Sequence, residues 1–180
     1  MNKKFPRKEF TIQDYLKNKS LVKDSTIKSL SESYLLKAKS NLITTSILFN
    51  INLNSEARKL LEVPENYSSD EWVVVSGYYA MYSAALALLA KIGYKSSSHA
   101  ATLLALEKFF VKKELIGQEY LAMLKHAQIT QNEIQELASA KNNREIAQYS
   151  VTKATTHAIA ETSKKNAYDF VNKVESILKS

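Results

Sequence analysis

The sequence predicts an all-α protein: an up-and-down bundle of four to five long helices with a basic N-terminal extension. Glycine and proline are scarce, three and two in 180 residues, whereas strand-and-turn folds need them at nearly every hairpin. Apolar residues recur at three-four spacing along most of the chain, the period of a helix with one buried face. Nineteen residues from Trp72 to Ala90 then pass without a charge, as suits a helix buried on all sides. A chain of this length forms one domain with a sizeable core and is too short for two comfortable ones. We divide it into a basic extension, residues 1–24, and a helical-bundle domain, residues 25–180.

The first thirty residues mix Phe5, Phe10, Ile12, Tyr15 and Leu16 with charges, which predicts one short helix near 9–18 lying on the bundle. A long helix follows from about Ser25 to Phe49, striped by Ile27, Leu30, Tyr34, Leu35, Ala38, Leu42, Thr45 and Phe49. Asn50-Ile-Asn-Leu-Asn54 ends it, and Ser55–Leu61 makes a short connecting helix with Ser55 as its cap and Pro64 beyond. Ser68-Ser69-Asp70 caps the charge-free helix, with Glu71 in its first turn and Gly93 stopping it after Lys91.

Ser96-Ser-Ser98 opens a further helix carried by Leu103, Leu104, Leu106, Phe109 and Phe110, which breaks near Glu114–Gly117. The next shows Tyr120, Leu124, Ala127, Ile134, Leu137 and Ala138, and weakens at Asn142-Asn143. The last, from about Thr152 to Leu178, shows Ile159, Ala167, Phe170, Val171, Val174, Ile177 and Leu178.

The charge-free run is nearly as long as a membrane span, which needs about twenty apolar residues. Ser76, Gly77, Tyr78, Tyr79, Tyr82 and Ser83 would however sit at mid-bilayer, where polar groups are costly and where membrane tyrosines do not gather. The expectation is a buried bundle helix and no membrane. Cysteine is absent, which excludes disulfides, thiolate nucleophiles and Cys-ligated zinc, and fits a reducing cytoplasmic setting. No apolar stretch follows the basic residues at the start, so no secretory signal is expected. With no Glu-x-x-His pair, Walker loop, nucleophile elbow or His-Glu-x-x-His, neither a metal nor a cofactor is expected.

The formal net charge is +7, and five of those seven charges fall in residues 1–29. Lys3, Lys4, Arg7 and Lys8 head this arm. Such a cluster grips phosphate backbones without sequence preference, or else docks a partner or keeps the chain soluble.

The stretch Tyr78-Tyr-Ala-Met-Tyr-Ser-Ala-Ala-Leu, with Gly93 and Ser98-His99 after it, resembles the second helix and following turn of HEPN-domain proteins, helical domains associated with nucleotides and RNA. The likeness is to a small prokaryotic subfamily with Tyr-Tyr-Ala-Met-Tyr/Phe-His-Ala-Ala, whose histidine is Ser83 here. It continues through Glu107-Lys-Phe-Phe-Val-Lys-Lys-Glu-Leu and ends at Asn143-Arg-Glu-Ile-Ala-Gln-Tyr149. The family's RNases carry Arg, four to six variable residues, then His. Arg144 matches that arginine, but after four residues stands Tyr149, with Ser150 and Val151 beyond. The subfamily often has Arg-x-x-x-Asp-Tyr, so Tyr149 aligns with its tyrosine and Gln148 replaces the acid.

The resemblance implies a homodimer that binds RNA or nucleotide and acts beside a small nucleotidyltransferase in a toxin–antitoxin or defence-type module. Asn143, Arg144 and Tyr149, with the basic arm, are then the binding residues. A histidine cycles protons at neutral pH, whereas a tyrosine with a pKa near 10 is only about one part in a thousand phenolate at pH 7. Arg144 can still hold a phosphate bidentately and Tyr149 can stack on a base. Binding therefore survives the missing histidine better than catalysis does.

Two alternatives stand beside this reading: a metal-independent endoribonuclease using Arg144 with a base such as Tyr149 or His126, and a structural interaction module. Tyr149 is also a conceivable acceptor of an adenylyl group from the partner. His99, His126 and His157 read individually as structural, as do Tyr78, Tyr79 and Tyr82, which span two faces of one helix and pack in a core or line a hydroxyl-bearing cleft.

Overall fold

The computed structural model describes residues 10–142 and 157–180, with the backbone alone over 135–142. Among these residues the fold is an all-α bundle in which four helices have more than twenty residues: α2 (Ser31–Leu53), α4 (Asp70–Lys91), α6 (Gln118–Asn142) and α7 (His157–Lys179). Shorter elements fill the ends: α1 (Ile12–Lys17), α3 (Ser55–Leu60), α5 (His99–Leu106), and the three-residue strands β1 (Leu21–Lys23) and β2 (Tyr94–Ser96).

α1 starts with a reciprocal box in which the Thr11 side chain accepts from the Asp14 amide and Asp14 accepts from the Thr11 amide at 2.9 Å. β1 pairs antiparallel with β2, setting Leu21 opposite Ser96. The strands are too short to show alternation in sequence; the fully buried Leu21 anchors them. Residues 25–30 form a 3₁₀ turn, because the Asp24 carboxylate takes the Thr26 amide at 2.9 Å and tightens the chain before the α-helix can begin.

α2 runs on through the Asn-rich stretch to Leu53. Asn54 ends it and at the same time caps α3, accepting from the Ala57 amide at 2.9 Å, so the cap is Asn54 and not Ser55. Beyond α4, Gly93 adopts φ 78° and turns the chain into β2. That left-handed conformation favours glycine, whose missing Cβ removes the steric penalty. Ser98 caps α5, which continues through a π-helical turn at Glu107–Val111.

α4 lies at the centre, packed against α2, α7, α6 and α5. Alanines 80, 84, 85, 87 and 90 are fully buried and let neighbouring helices approach closely, while Met81, Leu88 and Leu89 fill the space between them. At Gly77 the approach to α7 is close: a Cβ there would stand 3.1 Å from Ser163 Oγ. Among the described residues α4 alone is long and apolar enough to cross a membrane, and 72% of that apolar window is buried inside the bundle.

The stripes on α2 and α7 are partly as the spacing predicts. Ala38, Leu42, Thr45 and Phe49 are buried, but Leu30 is exposed at the end of the 3₁₀ turn. On α7 the buried positions are Ala160, Ala167, Phe170, Val171 and Val174; Ile159 is turned about 100° from Ala160 and is exposed.

Candidate functional site: a groove between α2 and α4

The side chains that α4 does not give to the core face a groove against α2 with a volume of about 340 Å³. Trp72, Val75, Tyr79, Tyr82 and Leu86 recur at three-four spacing along α4 and form one wall. Tyr34, Lys37, Asn41, Thr44 and Leu48 do the same on α2. Trp72 and Tyr79 are 57% and 41% exposed, so two large aromatic faces are open to a ligand. Lys37 is the one charged residue among the lining.

Below the groove the two helices are joined by the Thr45 hydroxyl, which donates to Ser76 Oγ at 2.9 Å. Asn41 Nδ2, by contrast, is buried without a hydrogen-bond partner. Ser83, where the resemblance places a histidine, is 4% exposed and lines the groove.

Tyr82 connects the groove to a second cluster. Its ring lies 4.4 Å from that of His99, and its hydroxyl accepts from Thr102 at 3.5 Å. Tyr78, in the core, stacks on Tyr82 with ring centroids 6.0 Å apart, and its hydroxyl is hydrogen-bonded to His99 Nδ1. Burial raises the Tyr78 pKa and lowers that of His99, so both are neutral. We assign the neutral phenol as the donor, which leaves the imidazole proton on Nε2. The cluster ties the start of α5 to α4; the three tyrosines divide, with Tyr78 in the core and Tyr79 and Tyr82 at the groove.

A third arrangement lies at the start of α4. The Asp70 carboxylate, 8% exposed, accepts from Asn52 Nδ2 at 2.9 Å and Ser68 Oγ at 2.9 Å, and from His157 Nδ1 at 3.1 Å. The His157 ring stacks on Phe49, centroids 4.8 Å apart, and Lys164 Nζ stands 4.2 Å from the Phe49 centroid. Ser69 does not cap α4 by its side chain; its hydroxyl donates to Leu48 O at 2.5 Å and so ties the helix start to α2. A buried carboxylate holding one nitrogen of an imidazole is the arrangement that orients a general base.

The residues expected to bind from sequence, Lys3, Lys4, Arg7, Lys8, Asn143, Arg144 and Tyr149, lie outside the described residues. His126 is exposed, on the rim of a separate cavity of about 250 Å³ between α4, α6 and α7. Among the described residues no three His, Cys, Asp or Glu side chains are grouped to hold a metal.

Sequence reasoning passed over Trp72, Lys37 and Asn41. The available signal was Asn41 itself, an amide of low helix propensity beside the apolar positions Ala38 and Leu42. Asp70 and His157 are 87 positions apart and carry no shared motif. No protein-family model matches the chain, and no curated protein is significantly similar to it.

Proposed function

We propose that this chain is a HEPN-like RNA- or nucleotide-binding protein of the cytoplasm. The observation that carries the binding reading is the α2–α4 groove, which exposed Trp72 and Tyr79 line together with Lys37 and with no acidic side chain. Aromatic faces stack on bases and a lysine takes phosphate, the combination used to hold single-stranded nucleic acid. Trp72 is the only tryptophan, so its fluorescence reports from the groove. Saturable quenching by single-stranded RNA or nucleotide, weakened by Tyr79→Ala and Lys37→Ala, is the expected result. Unchanged emission, with no heat of binding by calorimetry, would refute it.

By the resemblance, the protein acts as a homodimer beside a small nucleotidyltransferase in a toxin–antitoxin or defence-type module. The exposed stripe Leu36, Ile43 and Ile47 on α2 supports an association surface. Light scattering tests the dimer, and co-purification with the product of an adjacent nucleotidyltransferase frame tests the partner. The missing motif histidine supports a non-catalytic role.

A second reading, metal-independent RNA cleavage, is favoured by the Asp70–His157 pair. In it His157 is the base outside the motif and Asp70 orients it. Cleavage leaving cyclic phosphate ends, and lost in His157→Ala, would establish this reading over the first; intact RNA after incubation with the dimer would remove it.

A further inference from the structure

We infer that the end of the bundle formed by β1, β2 and the π-helical turn holds a phosphate backbone, so that the ligand is a polynucleotide strand and not a free nucleotide. This rests on the groove reading for its base contacts and goes beyond it to a second contact surface and to the class of ligand.

The carrying observation is where the lysines lie. Residues 10–30 and 91–114 hold nine lysines and four acidic residues, whereas residues 31–90 hold four basic and six acidic ones. The two lysine-rich segments meet at one end of the bundle: β1 pairs with β2, and the Asp24 amide donates to Gly93 O at 2.9 Å. All nine lysines are exposed. Among the described residues Lys112 alone of the nine is ion-paired, with Glu107 at 3.8 Å. The carboxylates of Asp14 and Asp24 are engaged by the Thr11 and Thr26 amides. A positive surface concentrated in this way is the electrostatic footprint of a nucleic-acid backbone.

Three of the lysines are arranged around Gly93, Tyr94 and Phe109. Lys23 stands opposite Tyr94 in the ladder, its Nζ 5.9 Å from the ring centre. Tyr94 stacks on Phe109 at 4.8 Å, and Lys108 Nζ lies 5.6 Å from the Phe109 centre. Lys28 lies along Gly93, its Cε 3.7 Å from where a Cβ would stand. Cation–π contact restrains an ammonium group without neutralising it, which reduces the entropy lost when a phosphate arrives.

This surface adjoins the groove. α2 begins where α4 ends, tied by the Ser31 hydroxyl donating to Ala87 O at 2.9 Å, and Tyr34 and Leu86 of the groove lining are within one helical turn of that bond. Lys28 immediately precedes the start of α2. The groove volume of about 340 Å³ is at the small end of ligand sites and suits one nucleotide, so the next phosphates of a strand seated there pass onto the basic end. An anionic bilayer shares the charge but brings no planar ring to Trp72 and Tyr79.

The test is equilibrium binding of labelled oligo(U), about twelve residues long, to the full-length protein by fluorescence anisotropy between about 50 and about 200 mM salt. Unlabelled uridine 5′-monophosphate competes, and is expected to bind at least about tenfold more weakly than the oligonucleotide. Three phosphate contacts on a single strand contribute about −2 to the slope of log K against log salt. Lys23→Gln, Lys28→Gln and Lys108→Gln combined are expected to remove that contribution and to weaken binding about tenfold or more at about 100 mM salt. Lys59→Gln, Lys125→Gln and Lys165→Gln combined change the net charge equally at other surfaces, and are expected to weaken it by no more than about threefold.

Equal affinity for the monophosphate and the oligonucleotide, or equal losses in the two triple variants, overturns this inference; the groove reading then stands if Tyr79→Ala still weakens binding. Binding lost in the first triple variant but untouched by Tyr79→Ala removes the groove reading and leaves the basic surface as the strand's site. Capture by vesicles of anionic lipid without affinity for the oligonucleotide overturns both.

Discussion

Replacing Tyr78 with Phe removes one oxygen from a ring that is almost wholly buried, so hydrophobic burial is nearly unchanged. What is lost is the hydrogen bond to His99 Nδ1. An unpaired buried acceptor costs about 1–3 kcal/mol. His99 is only half-buried and can regain a water, and the phenol's own desolvation is relieved, so the net loss falls at about 1 kcal/mol. For a domain of this size that is a fall in Tm of about 2–4 °C.

The pH dependence is the sharper check. Burial lowers the His99 pKa, so the unfolded chain takes up the proton first as pH falls. The stability linked to neutral His99 is therefore complete above the unfolded pKa of about 6.5 and is lost as pH falls toward the lower folded value. In Tyr78→Phe the neutral imidazole loses its donor, the folded pKa moves back up, and this slope flattens. Urea denaturation of both proteins at about pH 8 and about pH 5 should show a gap that narrows on acidification. A gap of equal size at both pH values, or none at pH 8, would refute the assignment of Tyr78 as donor to a neutral His99.

Gly77→Val should lower stability by about 1–3 kcal/mol in thermal melts, because the added carbons meet Ser163 of the closely packed α7. Leu88→Ala should lose about 2–5 kcal/mol, whereas Leu60→Ala on the exposed α3 should stay within about 0.5 kcal/mol. Asp70→Ala removes the acceptor shared by Asn52, Ser68 and His157 and should cost about 2–3 kcal/mol by urea denaturation; a neutral result would mean these groups find other partners. Gly93→Ala should cost about 1–2 kcal/mol, since φ 78° is strained for any residue with a Cβ and Asp24 O would lie 3.2 Å from it.

Helix existence was legible because periodicity and caps are local. Trp72–Ala90 can bury its surface only as a central helix, and Gly93 marks its end by a backbone conformation that glycine alone adopts cheaply. Where the sequence misled, the cause was a nearby competitor: Asp24 tightening 25–30 into a 3₁₀ turn, or Asn54 taking the capping role from Ser55. The β1–β2 ladder was invisible for another reason, since three residues are too few for a period to show.

By itself, then, the sequence determined an all-α chain with a charge-free helix at its heart and an unevenly placed positive charge. Only the tertiary structure decided which side of that helix is left uncovered. Tyr78 and Tyr79 are neighbours in sequence, yet a turn of about 100° sends one into the core and the other to the groove. Asn41 and Trp72 line one groove, and Asp70 meets His157, only because separate helices pack side by side. Local periodicity fixes the face that each helix buries; the packing of one helix on another selects the residues that share a site.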